Sequence, residues 1–345
     1  MSHMIDMSNS RANIAYIGEE PWHGLGQRLS AGAGIEVWRK EAGLEYEVLD
    51  APVQFRRISD AGQPVIAAFP ERKVLYRSDT KGPLSVVSKD YRVVQPSTIL
   101  GFFSDLVAHN GFELEVAGVL DDGRRVWALA KVNDGAPVIG HDIVRPYLLC
   151  ATSYDGSMST IAKFTAVRVV CHNTITMSVG GYDAETGART GGEKDKTDGA
   201  VVQCVRVPHS AEFKPEEAKV DLGIVLTAYD RFLVESRLMA EQPVDDRFVI
   251  EFLKKLLPER KAADGTVQAT EDGRAFKRLM AIWKGEIPSA TLPEAKGTIW
   301  GLLNAVTWDV DHERGGDATR LNSAWFGSGE GLKNKARELL VEVVR

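Results

Sequence analysis

Residues 153–180 read SYDGSMSTIAKFTAVRVVCHNTITMSVG and combine turn residues, a β-rich run and a group of polar side chains. Asp155 and Gly156 are a turn signal, because glycine accepts positive φ angles without steric cost. Residues 158–165 alternate in polarity, which predicts a strand whose exposed face carries Ser159 and Lys163. From residue 167 onward the apolar side chains recur at steps of three and four, which predicts a helix that buries one face.

Two interpretations of this stretch stay open. A strand that enters a helix beside a basic residue can hold an anion, and Arg168 stands at the predicted junction. The alternative is a well-packed strand, turn and helix with a surface lysine. The residue types alone favour this second, structural interpretation, because short motifs have many chance matches.

The composition is that of an ordinary globular protein. The chain has 345 residues, 44% of them hydrophobic and 26% charged, which allows about two domains and a sizeable core. Its three cysteines, Cys150, Cys171 and Cys204, are odd in number and widely spaced. This spacing argues against a disulfide framework and a zinc site of paired cysteines. We expect structural thiols, no metal and no cofactor, in a reducing cytoplasm.

The hydrophobic patterning also argues against a membrane or secreted protein. No apolar run reaches the roughly 18 residues that a membrane-spanning helix requires. The N-terminal segment lacks a basic region followed by an apolar block. We therefore expect a cytoplasmic protein with no membrane partner.

Charge is distributed unevenly along the chain. The net charge of −6 argues against a broadly basic nucleic-acid coat. Residues 51–100, however, contain eight Lys and Arg against four Asp and Glu. Such an excess can give an acidic protein one basic face that attracts a polyanion, although a solvated sheet face is the commoner arrangement.

The order of predicted elements indicates an α+β fold, with an N-terminal antiparallel β-meander packed with helices and a helical C-terminal region. The N-terminal elements are a helix over 35–42, strands over 46–58, 65–69, 73–78 and 84–87, a helix over 98–109, and strands over 112–119, 125–132 and 144–152. Residues 181–200 contain almost nothing apolar and are predicted to form a mobile insert. We therefore predict a core domain over 1–210 and a helical region over 211–345.

The helical region follows a strand predicted near 201–207. Its apolar residues recur at helical steps in five segments, which are 215–239, 246–257, 272–283, 293–311 and 331–344. This change from a period of two to a period of 3.6 is the basis for the domain boundary.

Few residues indicate catalysis. Cys171 and His172 are adjacent, so on a helix they point about 100° apart and do not form one metal site. A Cys171 nucleophile would need a base from elsewhere, such as His209, and a buried core thiol is the alternative.

Two other groups of residues invite a functional interpretation. Residues 21–26 (PWHGLG) predict a shaped loop in which Trp22 and His23 either stack on a ligand or fasten the loop to the core. The acidic run with Asp309, Asp311 and His312 is compatible with a metal site, but a solvated helix end explains it more simply.

Eight segments resemble a known family. They are 21–26 (PWHGLG), 91–96 (YRVVQP), 152–157 (TSYDGS), 167–174 (VRVVCHNT), 206–209 (RVPH), 300–307 (WGLLNAVT), 311–313 (DHE) and 326–329 (FGSG). The family is phage- and plasmid-related, and its shared region is catalogued only as a domain of unknown function, of the 932 type. The resemblance covers nearly the whole chain and implies a mobile-element origin, but it implies no activity.

The order of elements and the basic meander also resemble the fold of Rad fifty-two type single-strand annealing proteins. This is an analogy of fold, without a shared signature. It implies protomers joined into rings or arcs, with single-stranded DNA in a basic groove.

Two hypotheses follow. The first is a single-stranded DNA binding and strand-annealing recombination protein, acting as a homo-oligomer. In it, bases stack on Tyr91 or Trp22 and phosphates bind to the basic residues Arg56, Arg57, Lys89, Arg92, Lys163 and Arg168. The second is an enzyme acting on a small molecule or nucleotide through a polar site of His23, Cys171, His172 and His209. The basic meander favours the first hypothesis.

Overall fold

The computed structural model describes most of the chain. The described residues are 4–8, 10–18, 20–21, 24–109, 112–168, 173–176, 181–182, 189–190, 204–222, 225–257, 260–261, 267–290 and 293–344. The fold is α+β, with sheets in the N-terminal part and helices in the C-terminal part, so the predicted fold class is confirmed.

The regular elements follow one another along the chain. The first half contains β1 (Ile14–Tyr16), β2 (Gln27–Arg28), α1 (Ile35–Glu41), β3 (Val48–Ile58), β4 (Pro64–Arg77), β5 (Pro83–Ser88), α2 (Pro96–His109), β6 (Glu113–Leu120), β7 (Arg125–Lys131), β8 (Ala136–Ile139), β9 (Asp142–Ser153) and β10 (Thr160–Arg168). The second half contains β11 (Asn173–Thr176), β12 (Gly181–Tyr182), β13 (Arg189–Thr190), β14 (Cys204–Val207), α3 (Pro215–Leu222), α4 (Val225–Glu241), α5 (Asp246–Leu256), β15 (Arg260–Lys261), β16 (Val267–Gln268), α6 (Arg274–Lys284), α7 (Ile299–Trp308), α8 (Asp317–Phe326) and α9 (Ser328–Val344).

The chain divides into two compact units that alternate along the sequence. Unit 1 comprises Met1–Val132, Leu148–Lys163 and Cys204–Leu222, and unit 2 comprises Asn133–Tyr147, Phe164–Gln203 and Gly223–Arg345. The predicted boundary at residue 210 lies in the last segment of unit 1. Of the predicted insert over 181–200, only β12 and β13 are among the described residues.

Unit 1 contains most of the main sheet, with α1 and α2 packed on it. The strand order is β10-β9-β7-β6-β1-β2, with β14 paired to β10, and unit 1 contains β9 from Leu148 and β10 as far as Lys163. The hairpin of β6 and β7 is antiparallel, and a short 3-10 turn at Asp121–Gly123 joins its two strands. Helix α2 packs on β7 and α1, and its Phe102 and Phe103 are fully buried in the core with Trp38 of α1.

A second sheet of unit 1 contains β3, β4 and β5 in that order. The strands predicted over 65–69 and 73–78 are one long strand, β4. The β3–β4 ladder is irregular between these two segments, because the pairing shifts between Pro52 opposite Lys73 and Gln54 opposite Ala68. A bulge of this kind lets a hairpin continue past residues that fit a regular ladder poorly.

A buried network of charged side chains in unit 1 surrounds Arg77, the last residue of β4. Its guanidinium group donates to Asp6 at 2.6 Å and forms a two-pronged interaction with Asp79 at 2.7 and 2.9 Å. It also lies 4.1 Å from the centre of the Tyr46 ring. Gly123 has φ +97°, and a Cβ there would come within 2.8 Å of the Arg77 Cδ atom, so only glycine fits beside this side chain.

Unit 2 is organised around α7, which is buried on nearly every side. It packs on α4, α6 and α9, and its Trp300 indole donates to the buried Asp142 carboxylate at 2.7 Å. The helix predicted over 293–311 is shorter, because Thr298 caps α7 and a π-helical turn follows it at Asp309–Glu313. Among the described helices, none has both the length and the apolar character needed to span a membrane.

The helix predicted from residue 167 onward is wrong for the described residues. β10 continues to Arg168 and pairs with β11, with Val167 opposite Thr174. The β-branched residues Val167, Thr174 and Ile175 favour a pleated sheet, and this preference prevails over an apolar spacing that also fits a helix. The predicted strand-to-helix junction is therefore a β-hairpin, and Cys171 and His172 lie outside the described residues.

Candidate nucleic-acid interface

The outer half of the β3–β4 hairpin, residues 53–69, extends into solvent, and we call it the ribbon. Every one of its residues is at least partly exposed. Four large apolar side chains are among them: Phe55 is 48% exposed, Ile58 64%, Ile66 69% and Phe69 46%. Several large apolar side chains in solvent on one short hairpin indicate an interaction surface.

The strand register divides the ribbon into two faces. Phe55 is opposite Ala67, Arg56 opposite Ile66, and Arg57 opposite Val65. Opposed residues share a face and successive residues alternate between faces. The aromatic face therefore carries Phe55, Arg57, Val65, Ala67 and Phe69, and the isoleucine face carries Gln54, Arg56, Ile58, Pro64, Ile66 and Ala68.

The charge of the ribbon is basic. Arg56 and Arg57 are exposed, and the only acidic residue between 53 and 69 is Asp60, at the turn. Among the described parts of the chain, neither arginine takes part in an ion pair. Their guanidinium groups are therefore accessible to an anion from solution.

Two other predicted phosphate ligands are exposed but have acidic neighbours. The Lys89 ammonium group lies 3.0 Å from Glu71, and Arg92 lies 3.9 Å from Glu212. Exposed pairs of this kind contribute little to stability, so each cation can exchange its carboxylate for a phosphate. We regard them as secondary to the two ribbon arginines.

Tyr91 is buried and does not present a free face to a base, which corrects its predicted role. Its hydroxyl donates to the Ser153 carbonyl at 2.7 Å, and its ring stacks on His209 with centroids 4.3 Å apart. The ring face that a base would need is thus covered by the protein itself. Tyr91 fastens its loop to the end of β9.

His209 serves the same structural purpose. Its Nδ1 lies 3.0 Å from the Arg92 carbonyl oxygen and its Nε2 lies 3.1 Å from the Met158 carbonyl oxygen. Because both ring nitrogens face main-chain acceptors, neither is placed to take a proton from a substrate. The predicted polar site therefore has no base at His209, and His23, Cys171 and His172 lie outside the described residues.

Acid is expected to weaken the fold through His209. Burial lowers the pKa of this ring, although the two carbonyls and Asp155 favour its charged form. The unfolded chain then binds the proton more readily than the folded chain. The contribution to the free energy of unfolding therefore has its full value above a pH of about 6.5 and is lost as the pH falls below it. Urea denaturation should show a larger loss below this pH in the wild type than in His209→Gln. Equal losses would assign the effect to another group.

The remaining predicted ligands do not join the ribbon. Lys163 is only 5% exposed, in β10 opposite Cys204, because this strand is covered on both faces instead of one. Arg168 is the last residue of β10 and lies opposite Asn173. Its side chain and Trp22 are not in the part of the chain that the structure describes. Sequence reasoning missed Phe55 and Phe69, since apolar and basic residues occur on both faces of the ribbon and the usual alternation is absent.

The acidic residues that suggested a metal site form ion pairs inside unit 2. Asp309 binds Arg278, and Asp311 accepts from Lys333 at 2.8 Å. In the described ranges, no group of three His, Cys, Asp or Glu side chains is arranged to hold a metal ion. Cys150 is a buried free thiol whose pKa is raised by burial, as a structural cysteine requires.

Comparison with known proteins identifies a family, and the description of that family names no activity. Residues 83–189 and 196–337 match the family described as "Domain of unknown function (DUF932)". The comparisons with curated proteins and with solved structures give no match.

Proposed function

This chain belongs to the DUF932 family, and we propose that it binds single-stranded DNA through the ribbon, as a phage- or plasmid-derived recombination protein of the strand-annealing type. The observation that carries the proposal is the aromatic face. It combines two exposed phenylalanines with an exposed arginine that has no acidic partner in the described chain.

Stacking and charge together favour a single strand. Aromatic rings bind the flat faces of unpaired bases without regard to sequence, while arginines hold the phosphates between them. A duplex hides those base faces, and its binding relies on many cations. The ribbon has only Arg56 and Arg57, on a protein with a net charge of −6, so its chemistry fits the single strand better.

The annealing role requires several copies. Two arginines and two aromatic rings give weak binding in one protomer, and copies bound along one strand strengthen it through effective concentration. A homo-oligomer, in a ring or an arc, is therefore part of the proposal. The proposed location is the cytoplasm, where Cys150 and the other thiols stay reduced.

Removing the ribbon arginines should weaken DNA binding at all sequences and reduce its salt dependence. Each phosphate contact on a single strand contributes about −0.7 to the slope of log affinity against log salt, so Arg57→Ala, on the aromatic face, should flatten the slope by about 0.7, and Arg56→Ala, on the opposite face, should change it less. Phe55→Ala should cost about 1–3 kcal/mol for each base stacked and leave the slope unchanged. Fluorescence anisotropy with labelled oligonucleotides at several salt concentrations measures both effects.

Matched controls are available in unit 2. Arg247 is exposed on α5, and Val234 is exposed on α4. Arg247→Ala and Val234→Ala should leave binding unchanged. Absence of binding even at low salt, or equal effects of ribbon and control substitutions, would contradict the proposal.

A further inference from the structure

The ribbon has a free strand edge. β3 is the outer strand of the β3-β4-β5 sheet, and no described strand pairs with its other side. Residues 53–58 contain no proline and no lysine, two of the features with which proteins protect such an edge. Pro52 and the irregularity beside it end this edge on one side and Arg56 and Arg57 are its charged side chains, so residues 54–58 form a short free edge that is a template for one more strand.

The hydrogen bonds within the hairpin show which residues of β3 direct their main-chain groups toward the free edge. The Ser59 amide donates to the Gln63 carbonyl at 2.8 Å. In an antiparallel ladder, directly bonded pairs alternate with non-bonded pairs, so Arg57 and Phe55 direct their amides toward β4. Gln54, Arg56 and Ile58 therefore direct their main-chain donors and acceptors outward.

We propose that β3 pairs in antiparallel fashion with β3 of a second copy, about a twofold axis at Phe55. The two Phe55 side chains then face each other, Arg56 is opposite Gln54 of the second copy, and Arg57 is opposite its Val53. The outward amides and carbonyls of Gln54 and Arg56 bond to those of the other copy. A twofold contact of this kind uses the same patch on both copies and joins them as a pair, so the ring or arc of the proposed function consists of such pairs joined through a second interface.

Charge selects this register. A twofold axis normal to the sheet keeps each residue on its own face. The neighbouring alternative is an axis at Arg56, because in that register too the outward main-chain groups of Gln54, Arg56 and Ile58 form the hydrogen bonds. That alternative places two guanidinium groups directly opposite each other, which is destabilising. With the axis at Phe55, an aromatic pair occupies the centre and each Arg56 faces a neutral amide.

The paired ribbons form a continuous four-stranded surface in the order β4-β3-β3-β4. Its aromatic side carries two copies each of Phe55, Phe69 and Arg57. This surface doubles the stacking sites along one DNA strand, a consequence that rests on the proposed function. The pairing itself rests only on the strand edge and its sequence.

A cysteine substitution at the axis tests the pairing directly. Opposed non-bonded residues have Cα atoms about 4.5 Å apart, within the range of a disulfide. We expect mild oxidation of Phe55→Cys, without DNA, to give a disulfide-linked dimer on a nonreducing gel. Ile66→Cys, on the exposed part of β4, and the wild type with its native cysteines should remain uncrosslinked. If the Phe55→Cys variant cross-links no more than the Ile66→Cys variant, the proposal is overturned.

Salt distinguishes this proposal from DNA binding. The four arginines near the axis repel one another, so sedimentation should show more dimer as salt rises, whereas DNA binding should weaken. Gln54→Pro removes an outward amide while leaving the bonds to β4, and it should give a monomer. A protein that stays monomeric at all salt concentrations overturns the pairing even if it binds DNA. A dimer that binds no DNA overturns only the proposed function.

Discussion

Arg77→Met is expected to destabilise unit 1 by about 3–5 kcal/mol, because it leaves a buried carboxylate without its cation. Arg77 is 2% exposed and binds both Asp6, which is fully buried, and Asp79. Asn13 also donates to Asp6 at 2.7 Å, but a neutral amide does not compensate the charge. Urea denaturation of the wild type and the variant, followed by circular dichroism, measures the loss.

Two further variants separate charge from packing in this network. Arg77→Met combined with Asp6→Asn removes the uncompensated charge and should recover part of the lost stability. Arg72→Met changes an exposed arginine of the same strand and should alter the free energy of unfolding by less than about 0.5 kcal/mol. If Arg77→Met resembles Arg72→Met, the network does not hold the sheet ends together.

Arg337→Met is expected to have an effect of similar size in unit 2. Arg337 on α9 binds Glu235 on α4, and both side chains are less than one tenth exposed. Its guanidinium group also lies 5.7 Å from the centre of the Phe232 ring. Removing the cation leaves the buried Glu235 carboxylate without this ion pair, so we expect a loss of about 3–5 kcal/mol in the free energy of unfolding.

The matched variant is Glu235→Gln together with Arg337→Met. Because neither charge of this pair then remains, the double variant should be more stable than Arg337→Met alone. Thermal unfolding of the wild type, Arg337→Met and the double variant gives the order of their stabilities. A double variant that is less stable than the single one would show that Glu235 contributes through contacts other than this ion pair.

Helices with one strongly apolar face could be predicted from the sequence. In α5, Val249, Phe252, Leu253 and Leu256 recur at helical steps and all are buried. Burial of one helix face leaves a local pattern that no distant residue changes. The hairpin of β10 and β11 was mispredicted, because its spacing fits a helix and only the pairing of Val167 with Thr174 decides for a strand.

The basic charge of the candidate site could be predicted from the sequence. Which of its side chains are exposed to solvent could not. Arg56 and Arg57 belong to a basic segment, and the structure places both in solvent. Tyr91 was misjudged because its ring is covered by His209, a residue far along the chain. Whether an aromatic side chain faces water depends on such distant contacts, and so Phe55 and Phe69 became visible only in the fold.

The alternation of the two units along the chain affects how the protein is made. The chain passes between the units after Val132, Tyr147, Lys163, Gln203 and Leu222. During synthesis from the N-terminus, unit 1 lacks its last segment until Leu222 has left the ribosome. Two of the three segments of unit 2, Asn133–Tyr147 and Phe164–Gln203, are therefore synthesised before unit 1 is complete, and the ribbon is exposed during that time.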